Sequence, residues 1–484
     1  MKFTFKPIFA FLLVLPLVIW LYNPYELYFL NDDSIYIPKN QNFFSTDHLT
    51  SRVLTEFTLQ IDVWLYGENA WGYHLTNLLL HVVCTGLVYV LVKKCALFFE
   101  FVKPDNLAAL GSFLFFIYAF HSEAVLWIIG RGGSLSTIFA VLSLIFFFDR
   151  SKGKFYYLFS LVFFALGLLT YESIWILPVL VSLLIFLNAK QNVPKSEWFL
   201  ALGFWVVFFV FLLCRQFIEG TFSGTPYGNK GTISLSDLAR YVYNFITLFL
   251  RSFIPPSGTA VFMASAAVFA LGLMVLLWFL NKRRLFSRFR LFSYVSFLVC
   301  LLPYLMFGID THDTESERFL YLPSVFVCLI IADFVLLIHY RKLRVFILVF
   351  LALFHLFFLY RSSAAFKQSS RIAKTTIETL EETNASFDTI YLIDVPTQYG
   401  GAFIFRIGFQ YIFNWLLPQV KYNQQTQISN YEMIYPKPAY SGVIVSRESS
   451  SILPVTVWEK IRVVNKKPND LVLLWTDTTF WVIK

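Results

Sequence analysis

The sequence predicts an all-α polytopic membrane protein of about eleven transmembrane helices, followed by a small α+β domain outside the membrane. Three observations carry this. The 484 residues are 57% hydrophobic and 20% aromatic but only 14% charged, against about 25% charged in a soluble domain, and mean hydropathy is +0.64. Apolar runs of about 16–25 residues, long enough to cross a bilayer, recur up to residue 360, and the loops between them alternate in Lys and Arg content. After Tyr360 the long runs stop, and a polar helical segment gives way to short strand-like stretches.

Taken in order, the runs lie near 8–30, 72–92, 106–120, 132–148, 155–171, 173–187, 198–214, 258–280, 291–308, 319–338 and 345–360. The basic loops carry Lys93/Lys94/Lys103, Arg150/Lys152/Lys154, Lys190/Lys195, Lys282/Arg283/Arg284/Arg288/Arg290 and Arg341/Lys342/Arg344, and Lys2 and Lys6 precede the first run. Placing these in the cytoplasm puts the N-terminus inside and the C-terminus outside. The first run is too long for a signal-peptide core and has no small-residue cleavage site after it, so it reads as a retained span. Residues 237–254 interrupt the pattern, since counting them as a span would move 282–290 outside. Arg240, Asn244, Thr247 and Arg251 recur there as a narrow polar stripe at helical spacing, which reads as an interfacial or re-entrant helix on the outer side, the alternative being a full span with compensating re-entry elsewhere. The first outer loop, 31–71, has room for one or two short surface helices. Further on, 361–383 reads as a polar helix, and FDTIYLIDVP, GAFIFR, GVIVS, LVLLW and FWVIK read as strands. The chain thus divides into a membrane domain, 1–360, and an extracytoplasmic α+β domain, 361–484. No repeat period is present.

The net charge of +9 is no nucleic-acid footprint, because the basic residues sit in short loops between apolar runs. Cys84, Cys95, Cys214, Cys300 and Cys328 lie in or beside apolar segments, so no disulfide framework is read. The ionisable residues outside the basic loops gather on the outer side of this topology. Asp32 and Asp33 directly follow the first run, where a span more often ends in Trp, Tyr, Lys or Arg. His74, Asn77 and His81 fall at i, i+3 and i+7, on one helical face. His121, Glu123 and Arg131 lie between the third and fourth runs, Glu172 follows the fifth, and Glu317 and Arg318 precede the tenth. Charge in a membrane is costly and by default marks function, so this set predicts one polar site at the outer face. Each member has a bland alternative: a solvated turn for the acids, an interhelical hydrogen-bond stripe for His74 to His81, a snorkelling side chain for Arg131, and an ion pair of Glu317 with Arg318. His121-x-Glu123 has metal-type residues but no further partner at ligand spacing, which favours a hydrogen-bonded pair over a metal site. The glycines of GRGG around Arg131 would permit close approach of an anion. Asp333 has no account from the sequence, and His339 and His355 read as structural.

The stretches HLTSRVLTEFTLQIDVWLYGENAWGYHLTNLLLH, HSEAVLWIIGRGG, LGLLTYES and ERFLYLPS follow one another over roughly residues 25–330. In that order and spacing they resemble the protein O-mannosyltransferase-like GT-C glycosyltransferases, and among these the eukaryotic transmembrane O-mannosyltransferases that carry tetratricopeptide repeats. The resemblance implies a GT-C-like membrane fold and transfer of a sugar from a polyprenyl-phosphate donor to an extracytoplasmic acceptor, a protein Ser/Thr, a lipid or a glycan. Such enzymes carry an acidic pair in the first outer loop, and Asp32-Asp33 occupies that position. Asp32 and Asp33 are then the catalytic candidates, with Asp32 as general base. Arg131 and Arg318 would meet the donor phosphate, and Arg52, His74, His81, His121, Glu123, Glu172 and Glu317 complete the substrate-binding set. No cofactor is expected, and the alternative is a divalent ion held among Asp32, Asp33, His121 and Glu123. The expected setting is a bacterial cell membrane, with the site facing outward and the donor, the acceptor and membrane lipids as partners, without nucleic acid. This sequence departs from those relatives at Val53 after Arg52 and at Ser122 after His121, where they often have proline, and it lacks the repeat pattern. A transporter or flippase would need midplane charges and paired broken helices in two related halves, and neither is seen. A polysaccharide polymerase or ligase would share the lipid-linked donor without needing an acidic pair after the first span.

Overall fold

A computed structural model of the chain describes residues 7–40, 52–188, 195–220, 235–279 and 287–383, and beyond these 390–393, 396, 398–406, 415–417, 445–446, 462–463, 471–476 and 479–483. The helices in chain order are α1 Pro7–Tyr22, α2 Asp33–Lys39, α3 Val53–Tyr66, α4 Ala70–Phe98, α5 Pro104–Phe116, α6 Ser122–Leu126, α7 Arg131–Phe148, α8 Lys154–Leu168, α9 Leu177–Asn188, α10 Lys195–Glu219, α11 Leu235–Arg251, α12 Thr259–Phe279, α13 Arg288–Cys300, α14 Tyr321–Leu337 and α15 Arg341–Thr383. The chain forms two compact units. One is Met1–Tyr25 with Asn40–Ala364, and the other is Glu26–Lys39 with Ala365–Lys484.

The first unit is a helical bundle, and the chain is a multi-pass membrane protein. Among the described residues, five helices are long and apolar enough to cross a membrane: Ala70–Phe98, Arg131–Phe148, Glu197–Ile218, Glu317–Leu337 and Arg341–Glu382. A sixth follows if Pro104–Phe116 and Ala119–Leu126, bent by 59°, make one span. Two further apolar runs fold, among the described residues, as helices shorter than a full span, Lys154–Leu168 and Glu172–Asn188. The first run is cut at Tyr22, ahead of Asn23-Pro24, since the residue before a proline is pushed out of the α region. The run 291–308 is cut after Cys300, where a 3-10 turn over Leu302–Tyr304 begins around Pro303.

Helix α4 packs on α5 and α7, α7 on α8, and α14 on α5 and α13. The α7–α8 contact shows how apolar helices associate where lipid is as oily as Leu: small residues allow close approach, and hydroxyls bridge the backbones. The Ser143 hydroxyl donates to the Ser160 carbonyl at 2.7 Å, and the Ser160 hydroxyl returns the bond to the Ser143 carbonyl at 2.6 Å. Helix α11 is amphipathic in the inverted sense. Its polar residues Asn244, Thr247 and Arg251 are buried, while Leu238, Val242, Tyr243 and Ile246 are exposed. A helix with that distribution presents oil outward, as a lipid-facing surface requires. Arg240 leaves the stripe, is exposed, and pairs with Asp237 at 3.0 Å.

The second unit gathers Glu26–Lys39, the end of α15 and a set of strands: β1 Ile390–Ile393, β2 Gln398–Tyr399, β3 Ala402–Phe403, β4 Val445–Ser446, β5 Arg462–Val463, β6 Leu471–Thr476 and β7 Thr479–Ile483. β6 is central, parallel to β1 and antiparallel to β7. The segment after α1 is held here by several contacts. Glu26 meets Lys367 at 3.5 Å, Phe29 packs on Trp415 with centroids 4.7 Å apart, and the Asn31 amide donates to the Ile404 carbonyl at 2.7 Å. Asn31 sits at φ +49°, a left-handed conformation that Asn tolerates better than most residues.

Candidate functional site

The acidic pair lies in the second unit. Asn31 turns the chain so that α2 begins at Asp33. Asp33 is fully buried, and one of its carboxylate oxygens accepts the Leu30 amide at 2.9 Å. Asp32 is half-buried, and its carbonyl accepts the Ile35 and Tyr36 amides. Asp33 therefore holds the turn, and Asp32 is the more accessible acid.

The other candidates lie in the first unit, where they resolve into four groups. The first is a chain of alternating charge. Two bonds, from the Leu54 amide to the Leu169 carbonyl at 2.9 Å and from the Thr55 hydroxyl to the Thr170 carbonyl at 3.0 Å, fasten the start of α3 to the end of α8. They bring Arg52 to Glu172 at 3.0 Å and over the Tyr171 ring at 4.5 Å. Glu172 also meets Arg215 at 3.3 Å, and the Tyr171 hydroxyl accepts from Arg318 Nε at 3.3 Å. Arg318 donates from its guanidinium and its backbone amide to the two oxygens of Glu123, at 2.5 and 3.1 Å. The guanidiniums of Arg52, Arg215 and Arg318 are thus interleaved with the carboxylates of Glu123 and Glu172. Arg52 and Arg318 keep 43% and 24% of their side chains exposed. Arg215 and Tyr171 were not singled out from the sequence, although an arginine in the apolar FLLCRQF is a site signal by cost alone.

The second group centres on Arg131, whose side chain is 0% exposed. Its guanidinium meets Asp62 at 2.6 Å and the carbonyls of Ile128 and Tyr73 at 3.2 Å each. Asp62 also accepts from the Thr76 hydroxyl at 2.8 Å. Burial pushes the Asp62 carboxyl up from its usual range, and Arg131 pulls against it. The glycines beside Arg131 are close-packed rather than an open cradle. A Cβ on Gly130 would lie 2.1 Å from the Glu123 carbonyl oxygen, and one on Gly133 would lie 3.1 Å from that of Arg318.

In the third group the neighbours Glu317 and Arg318 diverge. Glu317 pairs with Arg251 of α11 at 2.6 Å and accepts the Ser122 hydroxyl. Ser122 supplies that donor. The fourth group is aromatic. His81 Nε2 reaches the Phe116 carbonyl at 3.1 Å and must carry the proton there, which leaves Nδ1 to face the Tyr321 hydroxyl at 2.7 Å. His121 Nε2 contacts Ser324, whose own hydroxyl donates to the Tyr321 carbonyl, and its ring stands 5.3 Å from that of His81. His74 is buried near the start of α4, and Asn77 donates to the Trp127 carbonyl at 2.9 Å.

For metal, the donor oxygens that converge among the described residues are those of Asp310, Asp313 and Glu315. Two of these carboxylates brace their own turn: Asp310 accepts the His312 amide, and Asp313 accepts the Glu315 amide at 2.8 Å. Burial, reinforced by the neighbouring carboxylates, pushes the Asp313 carboxyl up. His121 and Glu123 point their chemistry elsewhere, to Ser324 and Arg318.

Comparison with known proteins gives the relatives. A protein O-mannosyl-transferase of Caenorhabditis elegans is 37% identical over 101 residues, 21% of this chain and 14% of that protein. The human protein O-mannosyl-transferase TMTC3 is 28% identical over 213 residues, 42% of this chain and 20% of that protein. Over those stretches this chain resembles protein O-mannosyl-transferases. It spans about a fifth or less of their length. No protein-family model matches the chain. Among solved structures, the oligosaccharyltransferase of Archaeoglobus fulgidus, in complex with Zn and sulfate, overlaps 83% of this chain and 57% of that one at 14% identity and a TM-score of 0.40.

Proposed function

We propose that the protein is a membrane glycosyltransferase of GT-C type that moves a hexose from a polyprenyl-phosphate donor to a hydroxyl acceptor on the extracytoplasmic side. The observation that carries this is the pair of partly exposed guanidiniums, Arg52 and Arg318, that meet at Tyr171, with Arg215 behind them on Glu172, at the edge of an apolar bundle. The likeness to O-mannosyl-transferases supports the reaction class, and mannose is the first donor sugar to test.

In this reading Asp32 takes the proton of the acceptor hydroxyl as its oxygen bonds to the anomeric carbon. The bond from that carbon to the donor phosphate breaks, and polyprenyl phosphate leaves with the electron pair. Arg318 and Arg52 stabilise the charge that develops on the leaving phosphate, in surroundings where it is worth more than in water. Glu123 and Glu172 hold the two guanidiniums in place. Arg131 and Glu317, each buried on a partner, keep the loops that carry this cluster in register. The reaction is proposed to run without a metal ion.

The test uses the purified full chain in detergent with radiolabelled polyprenyl-phosphate mannose and a Ser/Thr-rich peptide or envelope extract as acceptor. Transfer of label into the acceptor is the expected result. Donor that stays intact with every acceptor, against a protein that is folded, would refute the reading.

A further inference from the structure

The first unit carries a second feature, far from the arginine cluster and independent of the proposed activity. A cavity of about 770 Å³ opens at the other ends of the same helices. Helix α14 runs 17 residues from its start beside Arg318 to the cavity at Leu337, a length of about 25 Å. The volume falls in the range of pockets that hold a small molecule, about 300–1,000 Å³.

The lining has two kinds of surface. Phe98, Phe99, Phe101 and Phe289 make an aromatic wall, with Phe101 and Phe289 centroids 5.1 Å apart. Against it stand the beginnings of two helices. Lys103 stands at the N-cap position of α5, and Ser287 caps α13, its hydroxyl accepting the Arg290 amide. Helix starts carry partial positive charge, which favours an anion. Lys103 and Arg288, both exposed on the lining, add full charges, with Glu100 opposing them. The remaining acid is neutralised: Asp333, unexplained by the sequence, takes Arg290 in a two-pronged pair through Nε at 2.5 Å and Nη2 at 3.1 Å. That buried pair fixes the start of α13 against the end of α14 and leaves the rim cationic. The rim also contains a costly backbone. Glu100 sits at φ +55° and the Phe101 amide reaches back to the Ala96 carbonyl, a helix ending that ordinarily uses glycine. Non-glycine residues held there gather at ligand clamps.

A pocket with an aromatic wall, two helix starts and a cationic rim, set at the ends of membrane-crossing helices, matches an anionic amphiphile. The geometry points to a binding site for the phosphodiester headgroup of an anionic membrane lipid, with its first methylenes against the phenylalanines. Basic pockets between membrane helices recognise such headgroups.

The experiment uses delipidated full-length protein in neutral detergent. Native mass spectrometry follows the binding of phosphatidylglycerol, phosphatidylcholine and inorganic phosphate, and thermal unfolding is followed in parallel. Phosphatidylglycerol is expected to bind at one saturable position and raise the unfolding midpoint, with phosphatidylcholine binding at least tenfold more weakly. The Lys103→Gln/Arg288→Gln variant should lose at least tenfold in phosphatidylglycerol affinity, while Lys152→Gln, in another basic loop, should not. Asn188→Trp, which fills the cavity from its rim without touching the charges, should weaken binding as well, and it keeps the test decisive should the double variant fold poorly. Equal binding of the two lipids, or unchanged affinity in both cavity variants, would overturn the proposal. Stabilisation by inorganic phosphate equal to that by the lipid would overturn the lipid assignment.

Discussion

Replacing Arg131 by Met separates anchoring from substrate binding. The structure gives this guanidinium an anchoring role, with no exposed surface and a contact to Asp62 of 2.6 Å. Its removal strands a carboxylate that is 2% exposed with one hydroxyl donor, that of Thr76. Breaking one side of a buried pair costs about 3–5 kcal/mol, because the surviving charge is uncompensated. Set against a total stability of about 5–15 kcal/mol, the variant should be severely destabilised. The pair Arg131→Met with Asp62→Leu should recover much of the loss, since apolar replacements of a buried pair are often near neutral. The deficit of the single variant should also shrink as pH falls. Burial already pushes Asp62 up with Arg131 present, and without Arg131 the folded state holds the proton still more tightly than the unfolded chain. Protons therefore favour folding, and stability is lost as pH rises through the folded-state value. The assay is SDS-titrated unfolding in mild detergent at several pH values, alongside the Michaelis constant for the donor. Wild-type stability in Arg131→Met with a raised donor constant would refute the anchoring argument.

Four further outcomes are expected. Asp32→Asn should lower turnover by about 10²–10⁴-fold, the usual worth of a general base; near-normal turnover in Asp32→Asn, Asp33→Asn and the double variant would remove the pair from the mechanism. Arg318→Ala should raise the donor Michaelis constant by about tenfold or more, as loss of a charged hydrogen bond of about 1.5–3 kcal/mol implies, while the acceptor constant holds; equal changes in both would argue against a phosphate contact. Chelation and dialysis should leave transfer intact, whereas loss restored by one divalent ion and abolished by Glu315→Gln would place a metal at the turn of Asp310, Asp313 and Glu315. Reporter enzymes fused after Lys484 and inserted within 281–290 should lie on opposite sides of the membrane, and the same side for both would break the loop-charge topology.

Composition and periodicity determined what is local. Long apolar runs require a membrane, because so much oil has no other solvent. The stripe of Asn244, Thr247 and Arg251 marked α11 as a helix of two faces, and the cost of charge near lipid picked out Glu123, Arg131, Glu172, Glu317 and Arg318. Length was less legible. Prolines at 24 and 303 interrupt runs that hydropathy reads as continuous, since a sliding average does not register a missing amide. Partner identity was not legible at all. Glu317 and Arg318 are adjacent in the chain and look like a pair, yet Glu317 goes to Arg251 and Arg318 to Glu123. Residues a half-turn or less apart on a tight helical turn point in different directions, so sequence adjacency does not set contact. Asp333 had no sequence partner because Arg290 belongs to another helix, and Asp62 meets Arg131 only because α3 stands against α7. The tertiary structure also assigned Glu26–Lys39 to the unit built by the C-terminal residues. These decisions belong to the fold because a buried charge must be matched by whatever group packing brings within about 3 Å, and only the assembled helices determine which group that is.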